Sequence, residues 1–158
     1  MTYQDIAYRT AYLITRSEQD ARDATQDGLI KALAALGRFN RSKPLRPWLL
    51  RIVANEARNR TRSARRRRAL ELRIATEPSG DAAPSPETEL LTTDARAELL
   101  RAVNQLPEDQ RLVVGLRYFA GLSEEETAAT LGVRVGTAKS RHSRALARLR
   151  ELLEAPNG

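Results

Sequence analysis

No stretch of this chain alternates apolar and polar residues with period two over a useful length, whereas apolar residues recur at three- and four-residue spacing almost throughout. That periodicity argues against strands and predicts an all-α fold. Aromatic residues make up only 4%, so a core has to be assembled from Leu, Ala, Val and Ile, and Ala and Leu are the strongest helix formers. The chain has no cysteine and a single histidine, His142. Disulfides, thiol catalysis and Cys- or His-rich metal sites are therefore not expected, and neither a cofactor nor a small-molecule substrate is called for. No apolar run approaches the ~18 residues of a membrane span, and the N-terminus "MTYQDIAYRTAYLITRS" lacks a basic-then-apolar signal layout. Direct membrane insertion is not expected, and the expected location is the cytoplasm.

The segment "PSGDAAPSP" (78–86) has no periodicity and reads as a linker. Charge divides around it. Residues 1–68 hold 16 Arg/Lys against 6 Asp/Glu, residues 69–98 hold 2 against 7, and residues 99–158 hold 9 against 7. A strongly basic block, an acidic connector and a mildly basic block describe two polyanion-facing units on a linker that avoids polyanions. The expected division is a domain over 1–72, a flexible acidic linker over 73–93 and a second domain over 94–158.

The first unit reads as three helices, over 3–16, over 19–36 and from Pro47 to about residue 72. The second of these places Ala21, Ala24, Leu29, Ala32, Leu33 and Leu36 on its core side, with Asp20, Asp23 and Asp27 outside. The second unit reads as four helices over 87–105, 107–120, 123–131 and 135–153. Pro107 starts one, Gly121 and Gly132 stop two, and Ser123 with Glu126 forms a capping box.

The sharpest local signal is "SEEETAATLGVRVGTAKSRHSRALARLR" (123–150). A short capped helix, a Gly-containing turn and a longer basic helix make a helix-turn-helix. Ala128 permits close approach, and Leu131 and Val133 plug the corner. On the second helix Ala138, His142, Ala145, Leu146 and Leu149 share one face. Thr137, Lys139, Ser140, Arg141, Ser143 and Arg144 face outward as donors for phosphates and base edges in a major groove. The competing reading is a solvated amphipathic hairpin. His142 in an apolar slot reads as a half-buried structural histidine, with a pH switch as the alternative.

In "WLLRIVANEARNRTRSARRRR" (48–68) an apolar stripe, Leu45, Trp48, Leu49, Ile52 and Val53, runs into Asn55, Glu56 and Asn59. The stripe is expected to leave the core at Asn55, because Asn wants hydrogen-bond partners. With Arg58, Arg60, Arg62 and Arg65 to Arg68 around them, the two amides suit a single nucleic-acid strand, arginines on the backbone and amides on base edges. A solvated helix end with an unspecific basic tail fits the same residues. Asp23, Gln26 and Asp27 on "DARDATQDGLIKALAAL" form a face for a basic protein partner or, equally, a solubilising face.

With both ends read, the chain resembles a bacterial RNA polymerase sigma factor of the extracytoplasmic-function (group IV) type. "DARDATQDGLIKALAALGRF" is similar to the family's "DAEDLVQETFLRAYRAL.RF", "WLLRIVANEARNRTR" to its "WLYRIARNLALDHLR", and "LPEDQRLVVGLRYFAGLSEEETAATLGVRVGTAKSRHSRALARLR" to its last domain. The resemblance implies a three-helix region 2-like domain and a helix-turn-helix region 4-like domain. It implies no catalysis: the protein would direct core polymerase to promoters and promote melting. Asp23, Gln26 and Asp27 would meet the clamp helices of the polymerase. The 38–47 loop with Asn55 and Asn59, aided by Arg58 and Arg62, would capture a base of the −10 element. The second helix of the helix-turn-helix would read the −35 element through Lys139, Ser140, Ser143 and Arg144, with Thr137 and Arg141 on phosphates, and its domain would dock on the polymerase flap. An anti-sigma partner is implied as well. Leu29 stands where an aromatic is common, Pro47 replaces a capping Ser/Thr, "SKPLRP" is an unusual specificity loop and His142 replaces Leu or Ile. The family carries more residues ahead of "YQDIAYRTAYL", so a shortened first helix or a misassigned start codon is expected. The alternative from the residues alone is a polymerase-independent helix-turn-helix regulator.

Overall fold

A computed structural model describes residues 1–74 and 94–155. Among them are seven α-helices and no strand, in two compact units divided between Pro86 and Glu87. The linker expected over 73–93 lies outside the described residues from 75 onward, and so do residues 87–93 of the helix expected to begin at 87.

The first unit is a bundle of α1 (Tyr3–Thr15), α2 (Glu18–Ala35) and α3 (Leu45–Ile74). A capping box starts α1: the Asp5 N–H donates to Thr2 Oγ1 at 3.2 Å, and the Asp5 carboxylate accepts the Thr2 N–H at 2.9 Å. That backbone hydrogen bond, with the Thr2 hydroxyl, holds the Asp5 carboxyl below its ordinary value. The helix closes at Arg16, which takes a left-handed conformation (φ 54°) and donates its N–H to Tyr12 O. Ser17 then caps α2. The core consists largely of small residues: Ala7 and Ala11 from α1, Ala21, Ala24, Gly28 and Ala32 from α2, and Val53, Ala54 and Ala57 from α3, around Ile6, Ile14, Leu49 and Leu50. Small residues bring the helix axes together. Thr10 and Thr25 sit in this core because each hydroxyl donates to the carbonyl four residues earlier, Ile6 O at 2.8 Å and Ala21 O at 2.7 Å.

Two expectations for this unit are corrected. Leu33 and Leu36 do not enter the core. Both are exposed, because the small residues Ala21, Ala24, Gly28 and Ala32 form the packing stripe and turn the leucines outward. The α3 stripe does not leave the core at Asn55 either. It runs through Leu49, Leu50, Val53, Ala54 and Ala57, and the alanines continue it where the apolar spacing asks for larger residues. Asn55 and Asn59 lie on the exposed flank of the helix instead.

The second unit contains α4 (Asp94–Asn104), α5 (Glu108–Val114), α6 (Glu124–Leu131) and α7 (Val135–Glu154). The single continuous helix expected over 107–120 is interrupted. The chain widens after Val114 into a π-turn, Gly115–Phe119, whose end is marked by Ala120 N–H donating to Gly115 O at 3.0 Å. Gly121 follows at φ 72°, a conformation that favours glycine. The Ser123–Glu126 capping box starts α6, and Gly132 at φ 68° ends it. Ala128, Leu131 and Ala138 of the α6–α7 corner are buried, as are Leu112, Leu116 and Leu122, and Ala145 and Leu149 of α7 cluster with Ala102, Leu106 and Val114. Leu146, expected on the core face of α7, is exposed, since the helix turns its Ala138–Ala145–Leu149 edge inward.

Candidate nucleic-acid interface

On the first unit the candidate surface is the outer flank of α3. Asn55 and Asn59 lie one turn apart and are both exposed, with Arg62 exposed and Arg58 half-buried beside them. From Arg65 on, every residue of α3 to Ile74 is exposed, so the Arg65–Arg68 run stands clear of the core. Four consecutive helical residues project about 100° apart, so these arginines form a collar around the helix and not a single face. Arg60 does not join them. Its guanidinium turns back to α2, where it hydrogen-bonds Asp27 and lies 3.6 Å from Asp23. The Asp27 hydrogen bond pushes Arg60 above the ordinary arginine value. One turn earlier, Lys31 of α2 pairs with Glu56 of α3. The antiparallel crossing therefore carries a ladder of charges, spaced by four residues on each helix.

The loop leading into α3 is preset. Asn40 Oδ1 accepts from Ser42 N–H at 3.0 Å and from the Ser42 hydroxyl at 2.7 Å, and Lys43 N–H donates to Asn40 O at 3.0 Å. Phe39 packs on Trp48, ring centroids 4.7 Å apart, which ties the loop to the first turn of α3. Arg41, Ser42 and Lys43 are left exposed at its tip.

On the second unit α7 exposes Lys139, Ser140, Ser143 and Arg144, while Thr137 is half-buried. Arg144 donates to Ser140 O at 3.3 Å, which holds its guanidinium along the outer face. Arg141, like Thr137, is half-buried: its side chain is 26% exposed and lies 3.7 Å from Asp109 at the start of α5. It lies on the flank toward α5 because residues 137 and 141 share a helical row that borders the core side. Lys139 lies 3.9 Å from Glu124. His142 is wedged between Tyr118, whose hydroxyl is 2.9 Å from Nε2, and Glu124, 3.8 Å from Nδ1.

Among the described residues no group of His, Cys, Asp and Glu has metal-site geometry, and no helix is long and apolar enough to cross a membrane. The two units offer basic helix surface, with amides on α3 and with lysine and serine hydroxyls on α7, which is chemistry for phosphates and base edges.

Residues 1–67 match the family model described as Sigma-70 region 2, and residues 96–149 match Sigma-70, region 4. The chain is 38% identical over 135 residues to an RNA polymerase sigma-H factor of Pseudomonas aeruginosa, an alignment covering 80% of this chain and 69% of that protein. It is 37% identical over 146 residues to the ECF RNA polymerase sigma factor SigM of Mycobacterium tuberculosis, covering 92% of this chain and 70% of that one. The chain belongs to the ECF sigma factors of RNA polymerase. Among solved structures it is similar to the sigma factor RpoE of Bartonella quintana, in complex with the anti-sigma factor NepR, at TM-score 0.71 and 32% identity over 98% of this chain and 93% of that one. An ECF sigma factor directs polymerase to promoters, so the polymerase-independent regulator is set aside. The sigma-70 family is not a family of enzymes.

Three groups of residues escaped the sequence reading. Asn40 orders the 38–47 loop, and "NRS" is the Asx-turn signal that marks it. Arg60 belongs by sequence to the run of arginines, yet Asp23 and Asp27 are spaced to hold it. Ile30 (58% exposed) and Leu33 (72%) continue the outward row of Gln26 along α2, and only the Ala/Gly packing stripe betrays them.

Proposed function

We propose the following division of labour within this ECF sigma factor. The outer face of α2, with Asp23, Gln26 and Asp27 extended by Ile30 and Leu33, docks on the clamp helices of core polymerase. Gln26, Ile30 and Leu33 recur at four and three residues, so they form one stripe that a partner helix can cover. On α3, Asn55 and Asn59 take a base flipped from the −10 element against the 38–47 loop, while Arg58 and Arg62 hold the strand's phosphates. On α7, Lys139, Ser140, Ser143 and Arg144 enter the major groove of the −35 element, with Thr137 at its edge. Arg141 reaches a phosphate only by releasing Asp109. The region 4-like domain, over 94–158, also meets the polymerase flap, and residues 73–93 join it to the region 2-like domain of 1–72. The protein carries no catalysis of its own, works in the cytoplasm, and is held inactive by an anti-sigma protein, as the solved RpoE–NepR pairing supports.

The observation that carries this reading is the pair Asn55 and Asn59, two amides one turn apart on an exposed, arginine-flanked helix surface that no packing requirement explains. The test is transcription in vitro of fragmented host genomic DNA by core polymerase, with and without the protein. Discrete new start sites that share two spaced sequence elements are expected; none with core binding intact would refute it. Asn55→Ala should leave closed-complex affinity within about twofold and slow promoter opening about tenfold, the worth of one base-edge contact. Equal losses in both steps would rule out base capture. Arg144→Ala should cost about 1–3 kcal/mol in binding at promoters that carry its −35 base and relax specificity at that base pair, which binding to a set of singly substituted −35 sites will show.

A further inference from the structure

Asp23 and Asp27, the acidic residues of the α2 face, are not idle in the free protein. Asp27 hydrogen-bonds the Arg60 guanidinium, Asp23 Oδ2 lies 3.6 Å from it, and Asp23 Oδ1 accepts from Gln19 Nε2 at 3.1 Å. Asp23 is thus engaged at both oxygens. Yet the three side chains remain reachable, with Arg60 33%, Asp23 37% and Asp27 44% exposed. The planar fork of arginine suits such a two-carboxylate clasp, since it serves both acceptors at once.

We propose that Arg60 is an internal competitor for the α2 face: it occupies Asp23 and Asp27 until a basic partner surface displaces it, and so sets both the strength and the selectivity of docking. This rests on the assignment of that face to core polymerase. A cation approaching the two carboxylates meets a pair already engaged by one guanidinium, so half of their charge is offset. A bare polycation therefore gains little, because each new ion pair replaces an existing one. A partner that also covers the adjacent Ile30 and Leu33 gains apolar burial that Arg60 cannot offset. Only that partner displaces the guanidinium. Arg60 is in this sense a specificity-determining residue for the docking step. Lys31–Glu56 keeps α2 and α3 joined when the clasp opens, so displacement need not loosen the bundle.

The experiment measures the affinity of the full chain for core polymerase in four forms: the parent, Arg60→Gln, Asp23→Asn/Asp27→Asn, and the three changes together. Arg60→Gln is expected to bind about fivefold tighter, the effect of removing one partly exposed competing ion pair. The Asp pair is expected to bind at least about tenfold more weakly. In the triple variant Arg60→Gln should add less than about twofold, because the carboxylates it competes for are gone. Arg60→Gln that binds no tighter than the parent, while the Asp pair binds weakly, overturns the inference and leaves the docking assignment standing. An Asp pair with parental affinity overturns both. Arg60→Gln that binds more weakly makes Arg60 a direct contact and also overturns the inference. Thermal melts of all four forms accompany the binding. If Arg60→Gln fails to fold, Arg60→Lys serves in its place: it keeps the charge, loses the fork, and should bind about twofold tighter than the parent.

Discussion

Leu33→Asp will cut affinity for core polymerase at least about a hundredfold and abolish promoter-specific transcription in vitro, with the melting temperature nearly unchanged. The reason is where Leu33 points. It is 72% exposed on the outside of α2, so it contributes little to the bundle. A surface substitution of this kind shifts stability by roughly 0.5 kcal/mol. In the docked state the same position would lie under a partner helix beside Ile30. Burying a leucine there contributes about 2 kcal/mol. Substituting a carboxylate loses that and adds the cost of an unpaired buried charge, so about 3 kcal/mol is a lower estimate, or roughly a hundredfold in affinity. Paired measurement of the melt and of core binding decides the matter. Intact binding would remove α2's outer stripe from the interface. A large loss of melting temperature would instead place Leu33 in the core.

How much of this was legible in the sequence depended on which periodicity dominated. The Ser123 cap and the Gly121 and Gly132 stops were plain, because they act through local geometry that needs no tertiary knowledge, whereas the Thr2 cap of α1 emerges only in the structure. The helix-turn-helix was plain for the same reason, and the exposed Lys139, Ser140, Ser143 and Arg144 lie where the spacing put them. The α2 packing face is misread when hydrophobicity is the guide. Leucines are more apolar than alanine or glycine, yet a three-helix unit this small packs through Ala21, Ala24, Gly28 and Ala32, since only small residues let α2 approach α3. The same error places Asn55 on an interrupted core stripe, when the stripe has passed to Ala54 and Ala57. Arg141 and Arg60 are harder to place, because an arginine's direction depends on an acid elsewhere in the chain, Asp109 in one case and Asp27 in the other. The π-turn at Gly115–Phe119 carries no composition signal that separates it from ordinary helix.

Gly28 is where the tight approach of α2 to α3 can be tested most directly. Glycine inside a helix ordinarily costs about 1 kcal/mol relative to alanine, so Gly→Ala at an open position stabilises. Here a Cβ on Gly28 would stand 2.8 Å from Val53 Cγ2 and 3.0 Å from Val53 Cα. The methyl could rotate away, but the Cα belongs to the α3 backbone, and Val53 is fully buried. The helices must therefore separate. Overpacking of this kind costs about 1–3 kcal/mol, enough to reverse the propensity gain. Gly28→Ala should lower the melting temperature by about 5–10 °C, at the 4–8 °C per kcal/mol typical of a domain of roughly 60–100 residues. Gly28→Leu should leave the first unit largely unfolded, because its stability is of order 5 kcal/mol and the larger side chain has nowhere to go. Pairing Gly28→Ala with Val53→Ala should recover about 1 kcal/mol relative to the sum of the single changes, because the clash with Cγ2 vanishes while the α3 backbone still stands in the way. Separation of α2 and α3 also pulls apart Lys31–Glu56 and Asp27–Arg60, so Gly28→Ala should bind core polymerase differently from the parent even where it remains folded. A Gly28→Ala protein that melts about 4 °C or more above the parent would mean that the helices stand further apart than the packing of Gly28 on Val53 requires, and the register of the charge ladder would fall with it.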